Sequence, residues 1–280
     1  MKKLKKKKKK TIFDMLANLL IIVCLCIGSF CAYKIGEAYL EDKKDSKVHE
    51  TTLFNVDAFN SVEVEEEKQA TYKEKFQELK TMNEDFKGWI VFDSGLINQV
   101  LVQAGDNDFY LRRRFTDKSY SETGTVFLDK DANFNSMNIP IYGHHVEYNN
   151  KQMFTPLEQL FDENNYKENS TFSLYTETMK KNCVIVGVIY YDITAESVPY
   201  DYCYYSEEEF QNYIDYILNN RIYDTGEDIS INDNLVTLQT CVRGKPNYRE
   251  LVIAKEVSVE PLISDADIEE NVNTNTDEYN

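Results

Sequence analysis

The spacing of apolar and polar residues divides the chain into stretches with different predicted structures. Residues 15–33 form an uninterrupted apolar run in which Asn18 and Ser29 are the only strongly polar side chains. Residues 36–70 are rich in Glu, Asp and Lys with few aliphatic residues, which predicts a solvated stalk that becomes partly helical. Residues 71–260 carry the alternating and helical patterns of a folded domain.

Within that domain, short β-rich runs alternate with turns of Asn, Asp, Gly and Ser. The runs are GWIVFD, NQVLVQA, TGTVFLD, IPIYGHH, NCVIVGVIYYD, NLVTLQTCV and ELVIAKEV. Such spacing is typical of a β-barrel or sandwich. Near-helical spacing over residues 71–88 predicts an amphipathic helix in front of the first strand.

One strong helix interrupts the strands. Ser206 and Glu209 form a capping box, and apolar residues then recur at i, i+3, i+4, i+7 and i+8 from Phe210. A weaker helical stretch covers about residues 153–161. Residues 261–280 have little apolar content and are predicted to be a disordered acidic tail.

The apolar run near the amino terminus predicts a membrane anchor. Its 19 residues meet the roughly 20 that a helix needs to cross a bilayer core. Eight Lys residues within residues 1–10 precede it, and positive charge is retained on the cytoplasmic side. We therefore predict a basic cytoplasmic segment over residues 1–10, a transmembrane anchor over residues 11–35 and an extracellular domain. A cleaved signal peptide is the alternative, but it would have a shorter apolar core and a better cleavage site.

The charge of the exported part excludes one class of function. The whole chain has a net charge of −17, but eight of its 31 basic residues lie in residues 1–10. The remaining 270 residues carry 23 basic and 48 acidic residues, a net charge of −25. A surface this acidic repels phosphate backbones, so nucleic acid is not an expected partner.

Cysteine usage narrows the chemistry further. Three of the six Cys lie in the anchor, and the exported part keeps Cys183, Cys203 and Cys241. An odd number leaves at least one thiol unpaired. No CxxC pair, zinc-type Cys/His spacing or EF-hand-like loop is present, so we expect neither a metal site nor a cofactor.

Three residues at predicted strand ends could carry chemistry. His144 follows the strand IPIYG, Cys241 ends NLVTLQTC, and Arg249 opens the last strand. A nucleophilic thiol needs a base or an ion-pair partner, and an acyl intermediate needs a donor for its oxyanion. The alternative is structural, with Cys241 a small buried apolar residue, His144 a turn residue and Arg249 a solvated charge.

The order of these motifs resembles the sortases, and class B sortases in particular. IPIYGHH, TLQTC and the Arg before the terminal strand match, as do GWIVFD, DNDFYLRRRF, TGTVFLD and MFTPLEQL, in the same order. The resemblance covers about residues 70–257. It implies a mainly β fold, a sortase-like β-barrel of about eight strands with an N-terminal helix and one long inserted helix, preceded by a single transmembrane helix.

The resemblance also implies roles for individual residues. His144 matches the catalytic His, Cys241 the nucleophile and Arg249 the catalytic Arg. Arg243 is closer to the nucleophile in sequence and is the competing candidate for the arginine.

A groove between barrel strands binds the peptide in this family, so Leu111 and Thr240 are expected to line it. Many class B members have Ser where this chain has Gln239 and an acidic residue where it has Val242. These two departures concern substrate preference rather than the chemistry.

The implied activity is that of a cysteine transpeptidase. It would cleave a sorting signal after Thr through a Cys thioester and join the secreted protein to a cell-wall amine, outside the membrane. Expected partners are secreted proteins with a C-terminal sorting signal, a cell-wall precursor or pilin amine as acceptor, and the membrane. Three alternatives stay open: a pilus-polymerising sortase, a cysteine peptidase that uses water, and a catalytically silent peptide-binding barrel.

Overall fold

The computed structural model describes residues 12–146, 151–195 and 197–263. The predicted basic segment over residues 1–10 and residues 264–280 of the predicted tail lie outside these ranges. The chain separates into two compact units, Met1–Lys47 and Val48–Asn280.

The described residues of the first unit form one helix. Helix α1 runs over Ile12–Thr52, and its last five residues belong to the second unit. In the described part of the chain, this helix is the one segment long and apolar enough to cross a membrane. None of its apolar window is buried against protein. The fold therefore includes the single apolar N-terminal helix that the sequence predicts, and this helix could serve as a membrane anchor.

The second unit is a closed eight-stranded barrel with short helices around it. The helices are α2 (Val56–Asn60), α3 (Glu65–Met82), α4 (Glu163–Glu168) and α5 (Glu207–Asn220), with 3₁₀ turns η1 (Phe109–Arg112) and η2 (Thr155–Phe161). The strands are β1 (Phe86–Phe92), β2 (Asn98–Val102), β3 (Phe127–Leu128), β4 (Asn138–Tyr142), β5 (Thr171–Tyr175), β6 (Met179–Asp192), β7 (Leu235–Val242) and β8 (Lys245–Pro261).

The strands follow the order β1-β2-β3-β4-β7-β8-β6-β5 around the barrel. The pairs β2–β3 and β4–β7 are parallel, and the other neighbours are antiparallel. The predicted mainly β barrel of about eight strands is confirmed. Strand β5, with the sequence TFSLY, was missing from the predicted set.

The inserted helix α5 packs on the outside of the barrel. Its capping box between Ser206 and Glu209 is present, as the sequence predicts. Its buried face, Phe210, Tyr213, Ile214 and Ile217, packs against outward-facing strand residues. The approach is close at Gly187, where an added Cβ would lie 2.8 Å from Ile217 Cγ2. A larger residue at Gly187 would push the helix away from the sheet.

The segment between α1 and α3 packs against the barrel wall. The Trp89 indole donates a hydrogen bond of 2.9 Å to the Thr52 carbonyl, and the Asn98 side chain bonds both backbone groups of Phe54. The Phe54 ring is buried among aromatic residues of α3 and β1. Phe54, within the stretch predicted as a solvated stalk over residues 36–70, is thus part of the hydrophobic cluster between the barrel wall and α3.

Candidate active site

The site is built first from the hairpin of β7 and β8. Cys241 lies directly opposite Arg249 in the register of this pair. The connection is a short turn in which Gly244 has a φ of +69°, a conformation that favours glycine. An antiparallel strand pair therefore sets the candidate nucleophile and the candidate catalytic arginine side by side.

The neighbouring strand β4 brings His144 to the same end of the barrel. Tyr142 lies opposite Gln239 in the parallel pairing of β4 with β7, and the Gly143 N–H donates to the Gln239 carbonyl over 3.1 Å. His144 is the next residue along the chain. The three predicted catalytic residues therefore come from the ends of three adjacent strands.

Alternation along the strands places Cys241 and Arg249 on the outside of the barrel. Val236 and Leu238 point into the barrel core, whereas Leu235 points outward to α5. Because side chains alternate with a period of two, Cys241 shares the outward face of Leu235. Arg249 likewise shares the outward face of Leu251.

Exposure separates the three exported cysteines. Cys241 is exposed, whereas Cys183 and Cys203 are buried thiols. Burial raises the pKa of Cys183, and burial together with Asp129 raises the pKa of Cys203 to about 12. A thiolate is the reactive form, so both buried thiols are unsuited to nucleophilic attack.

His144 is half-buried, and its ring is held by η1. Its Nε2 lies 2.8 Å from the Leu111 carbonyl oxygen. Since a carbonyl can only accept, Nε2 carries the proton in this contact and Nδ1 is the basic atom of the neutral ring. Burial lowers the pKa of His144, the Leu111 carbonyl raises it, and the charge of Arg112 lowers it. Leu111 thus touches the candidate base through its backbone.

The two candidate arginines lie in different surroundings. Arg249 Nη1 donates to the carbonyls of Pro246 and Tyr248, at 2.9 and 3.0 Å, which holds the guanidinium at the turn. Arg243 Nη2 instead lies 3.5 Å from Glu158 Oε1. Only Arg249 is the direct cross-strand neighbour of Cys241.

Tyr200 is a site residue that the sequence analysis did not single out. Burial raises its pKa, the charge on Arg249 lowers it, and Cys241 raises it, so the phenol lies close enough to both to interact with them. It belongs to the loop between β6 and α5 and packs edge-on against Tyr191. The run YDYCYY was the available signal, but nothing local indicates which tyrosine turns toward the site.

Beneath the outer face lies a second, buried polar layer. Thr240 and Glu250 face each other across β7 and β8 and are 1% and 3% exposed. Within the described ranges, neither Thr240 Oγ1 nor Glu250 Oε2 has a hydrogen-bond partner. Burial and the charge of Glu158 raise the pKa of Glu250 to about 8, and Arg243 opposes the shift. Thr240, predicted to bind substrate, therefore points away from the face that carries Cys241.

Comparison with known proteins decides the family. The chain is 30% identical to a mutant form of Clostridium perfringens sortase B, over 69% of this chain and 90% of that one, with a TM-score of 0.62. This chain belongs to the sortase B family. No family model matches it.

Two further relatives agree with this assignment. Sortase B of Listeria monocytogenes is 24% identical over 232 residues, which span 81% of this chain and 90% of the relative. A Staphylococcus aureus sortase B–substrate complex has the same fold, with a TM-score of 0.64 at 19% identity over 78% of this chain and 99% of that one. The resemblance that the motif order indicated is confirmed.

In this sortase, the Glu158 carboxylate on η2 contacts the residue after His144 and a residue just after Cys241. Glu158 Oε2 lies 3.0 Å from His145 Nε2, and Glu158 Oε1 faces Arg243. The His145 side chain is only 2% exposed, so the two adjacent histidines have different surroundings. Across the described residues, no group of three or more His, Cys, Asp or Glu side chains comes together as metal ligands.

Proposed function

We propose that this sortase is a membrane-anchored cysteine transpeptidase. In this proposal it cleaves a sorting signal after Thr and joins the secreted protein to a cell-wall amine. The observation that supports it best is the direct pairing of Cys241 with Arg249 on an exposed strand end, with His144 at the end of the adjacent strand. Family membership supports a transpeptidase over an ordinary peptidase.

The proposed reaction has two acyl transfers. The Cys241 thiolate attacks the Thr carbonyl, the C–N bond breaks, and a thioester forms while His144 protonates the leaving amine. The acceptor amine then attacks the thioester and loses its proton to His144, a new amide forms, and the thiolate departs. Arg249 donates hydrogen bonds to the oxyanion in both steps, a task suited to a planar guanidinium with a fixed charge.

The protonation states required by this scheme are compatible with the site. Attack requires the thiolate form of the nucleophile, and protonation of the leaving amine requires an imidazolium. Burial lowers the pKa of His144, so most of the free enzyme carries a neutral ring at neutral pH. We infer that the minority form with a thiolate and an imidazolium is the one that reacts.

Substrate classes follow from the chemistry and from the relatives. Solved sortase B structures include a substrate complex and a complex with triglycine. By analogy, we propose a C-terminal sorting signal as acyl donor and a primary amine as acceptor. Leu111, whose carbonyl holds His144, is proposed to border the peptide groove. Thr240 would act on substrate only through the backbone of β7, because its side chain is buried.

The proposed topology places the chemistry outside the cell. Helix α1 serves as the anchor, the Lys-rich segment over residues 1–10 stays in the cytoplasm, and the barrel is extracellular. The domain limits proposed from the sequence, including a catalytic domain over residues 71–260, are kept in this scheme, with Phe54 packed onto the barrel as an extension. Protease added to intact protoplasts would digest the barrel if this orientation is correct.

An acceptor-competition assay tests the function. The full-length chain in detergent micelles is mixed with sorting-signal peptides of the LPxTG and NPxTN types, with and without triglycine or a wall-type diamine. A transpeptidase forms the amide product at the expense of the hydrolysed peptide, and Cys241→Ala abolishes both. If the peptide is hydrolysed to the same extent with and without the amine, the result would favour a cysteine peptidase. If the peptide binds but no product forms, the result would favour a catalytically silent barrel.

The same assay separates wall anchoring from pilus assembly. A pilus-polymerising sortase would prefer a pilin Lys side chain to the wall-type amine as acceptor. Cys183→Ala is the matched control, because that thiol is buried in the pairing of β6 with β5 and β8, and its removal should leave the product ratio unchanged.

A further inference from the structure

A partly exposed carboxylate beside the candidate site connects the segments that carry His144 and Cys241 through one side chain. Glu158 on η2 lies 3.0 Å from His145, which follows His144 in the chain. Its second oxygen lies 3.5 Å from Arg243, two residues after Cys241. The thioester chemistry itself assigns no role to Glu158, because its bonds are to the neighbours of the nucleophile and the base.

The His144 segment depends on η2 and the residue preceding it for its position. Strand β4 ends at Tyr142, and Gly143 adds one backbone bond to β7 beyond it. The Phe154 N–H donates to the His144 carbonyl over 3.1 Å, and the Val146 N–H donates to Thr155 Oγ1 over 2.7 Å. Glu158 adds a side-chain link between this segment and the turn after the nucleophile.

The segment that carries Arg249 is also affected by the Glu158 carboxylate. Glu250 follows Arg249 and is buried with one oxygen unpartnered in the described part of the chain. Burial raises the pKa of Glu250, and the negative charge of Glu158 raises it further. Glu250 is therefore neutral below its raised pKa, whereas Glu158 is paired with His145 and Arg243. Tyr190 of β6 lies opposite Glu250 in the register, and burial, followed by the charges of Glu250 and Glu158, raises the pKa of its phenol.

We propose that Glu158 is a positioning residue for the transpeptidation reaction, fixing the separation of His144 and Cys241 through its contacts with His145 and Arg243. The predicted effect on the reaction rate rests on the proposed function, whereas the predicted effect on the separation of the two segments needs no substrate. A displacement of about 1 Å between reacting groups costs on the order of 100-fold in rate. A side chain that bridges the two segments can thus act on the rate without contacting the peptide.

The variants are chosen to remove the bridge in steps. Glu158→Gln keeps an acceptor for the His145 N–H but loses the charge that faces Arg243. Glu158→Leu loses both contacts, and Arg243→Gln loses one from the other side. Glu163→Gln is the control, since this carboxylate lies on the adjacent helix α4 and forms its ion pair with the exposed Lys167.

The kinetic test measures acylation with the full-length chain in micelles. We expect Glu158→Leu to lower kcat by about 10- to 100-fold with the peptide KM within about twofold, and Glu158→Gln to have an intermediate effect. The Glu158→Gln/Arg243→Gln double variant should lose no more activity than the more impaired of the two single variants, because both substitutions remove the same link. Unchanged kcat in a folded Glu158→Leu variant would overturn the proposal, as would an effect confined to KM.

A second measurement needs no substrate. In a His144→Cys background, the rate of disulfide formation with Cys241 in oxidised glutathione reports how closely the two segments approach. Glu158→Leu should slow this rate, and Glu163→Gln should leave it unchanged. A slower rate without any acylation of wild-type enzyme would keep the positioning role and refute the proposed function. An unchanged rate would refute the positioning role, even if Glu158→Leu lowers the melting temperature.

Discussion

The two sides of the β7–β8 strand ends differ sharply in burial and chemistry. On the outer side, Cys241 is exposed and Arg249 is half-buried, and the two form a cross-strand pair. One residue away on the inner side, Thr240 and Glu250 are almost completely buried and, among the described residues, lack partners for one oxygen each. A single pair of strands thus presents a reactive surface and a buried polar layer, because successive side chains point to opposite faces.

The contrast between the two faces explains how the buried carboxyl group of Glu250 can lie beside the positively charged candidate site. Glu250 is neutral below its raised pKa, so it adds no negative charge behind the Arg249 side chain at neutral pH. Burying Glu250 costs free energy, because a polar group is removed from water without a full set of hydrogen bonds. In the proposed mechanism the outer face carries the chemistry, and the inner face adds no charge to it at neutral pH.

The largest expected effect concerns the two arginines. Arg249→Lys should lower kcat/KM by on the order of 100- to 1000-fold, because a lysine ammonium cannot reproduce the forked donor geometry toward an oxyanion. Arg243→Lys keeps a positive charge facing Glu158 and should stay within about threefold of wild type. Steady-state kinetics on a sorting-signal peptide measure both. Equal losses of kcat/KM in the two variants would leave open which arginine is catalytic, as the sequence alone did.

Replacing Glu250 on the inner face should change the free energy of unfolding in a way that depends on pH. The pKa of Glu250 rises from an ordinary value near 4.5 to about 8 on folding, so the native state binds its proton more tightly than the unfolded chain. Stability from this group is therefore fully present below about pH 4.5 and is lost as the pH rises to about 8. Glu250→Gln, which stays neutral, should be more stable than wild type by a few kcal/mol at pH 8 and equal to it at pH 4.5.

Denaturant unfolding across pH 4.5–9 measures this difference. Glu163→Gln, on an exposed helix, supplies the control with no such pH dependence. A constant offset between Glu250→Gln and wild type at every pH would show that burial does not shift this carboxyl group.

The smallest effect is expected at Thr240. Thr240→Val replaces a buried hydroxyl that lacks a partner within the described ranges with a methyl group of similar size. We expect the free energy of unfolding to rise by about 0.5–1 kcal/mol and kcat/KM to stay within about twofold. A tenfold rise in peptide KM would instead support the role in substrate binding that the resemblance implied.

Local patterns predicted the elements of the fold well. Helix α5 begins at its capping box at Ser206, and seven of the eight strands lie within or beside the predicted runs. Strand β5 was missed because TFSLY is short and only its pairing with β1 and β6 makes it a strand. The stretch predicted as a helix over residues 153–161 contains a 3₁₀ turn, Thr155–Phe161, with Pro156 in its first turn.

The site was only partly predictable for a related reason. His144, Cys241 and Arg249 stand in motifs that a reader of the sequence can find. Glu158 and Glu250 also stand in predicted runs, MFTPLEQL and ELVIAKEV, but nothing local indicates that the two carboxyl groups lie near the catalytic candidates, since that depends on which strands meet at one end of the barrel. Register and barrel closure are long-range properties, and the local sequence does not contain them.

The most direct test of the account is the intact mass of the acylated enzyme. Full-length protein is mixed with the sorting-signal peptide pool without an amine and is quenched in acid within seconds. The account predicts a mass increase equal to the peptide's amino-terminal part through its Thr, located on Cys241, absent from Cys241→Ala and discharged by added amine. An adduct on another residue, or one that persists in Cys241→Ala, would contradict it.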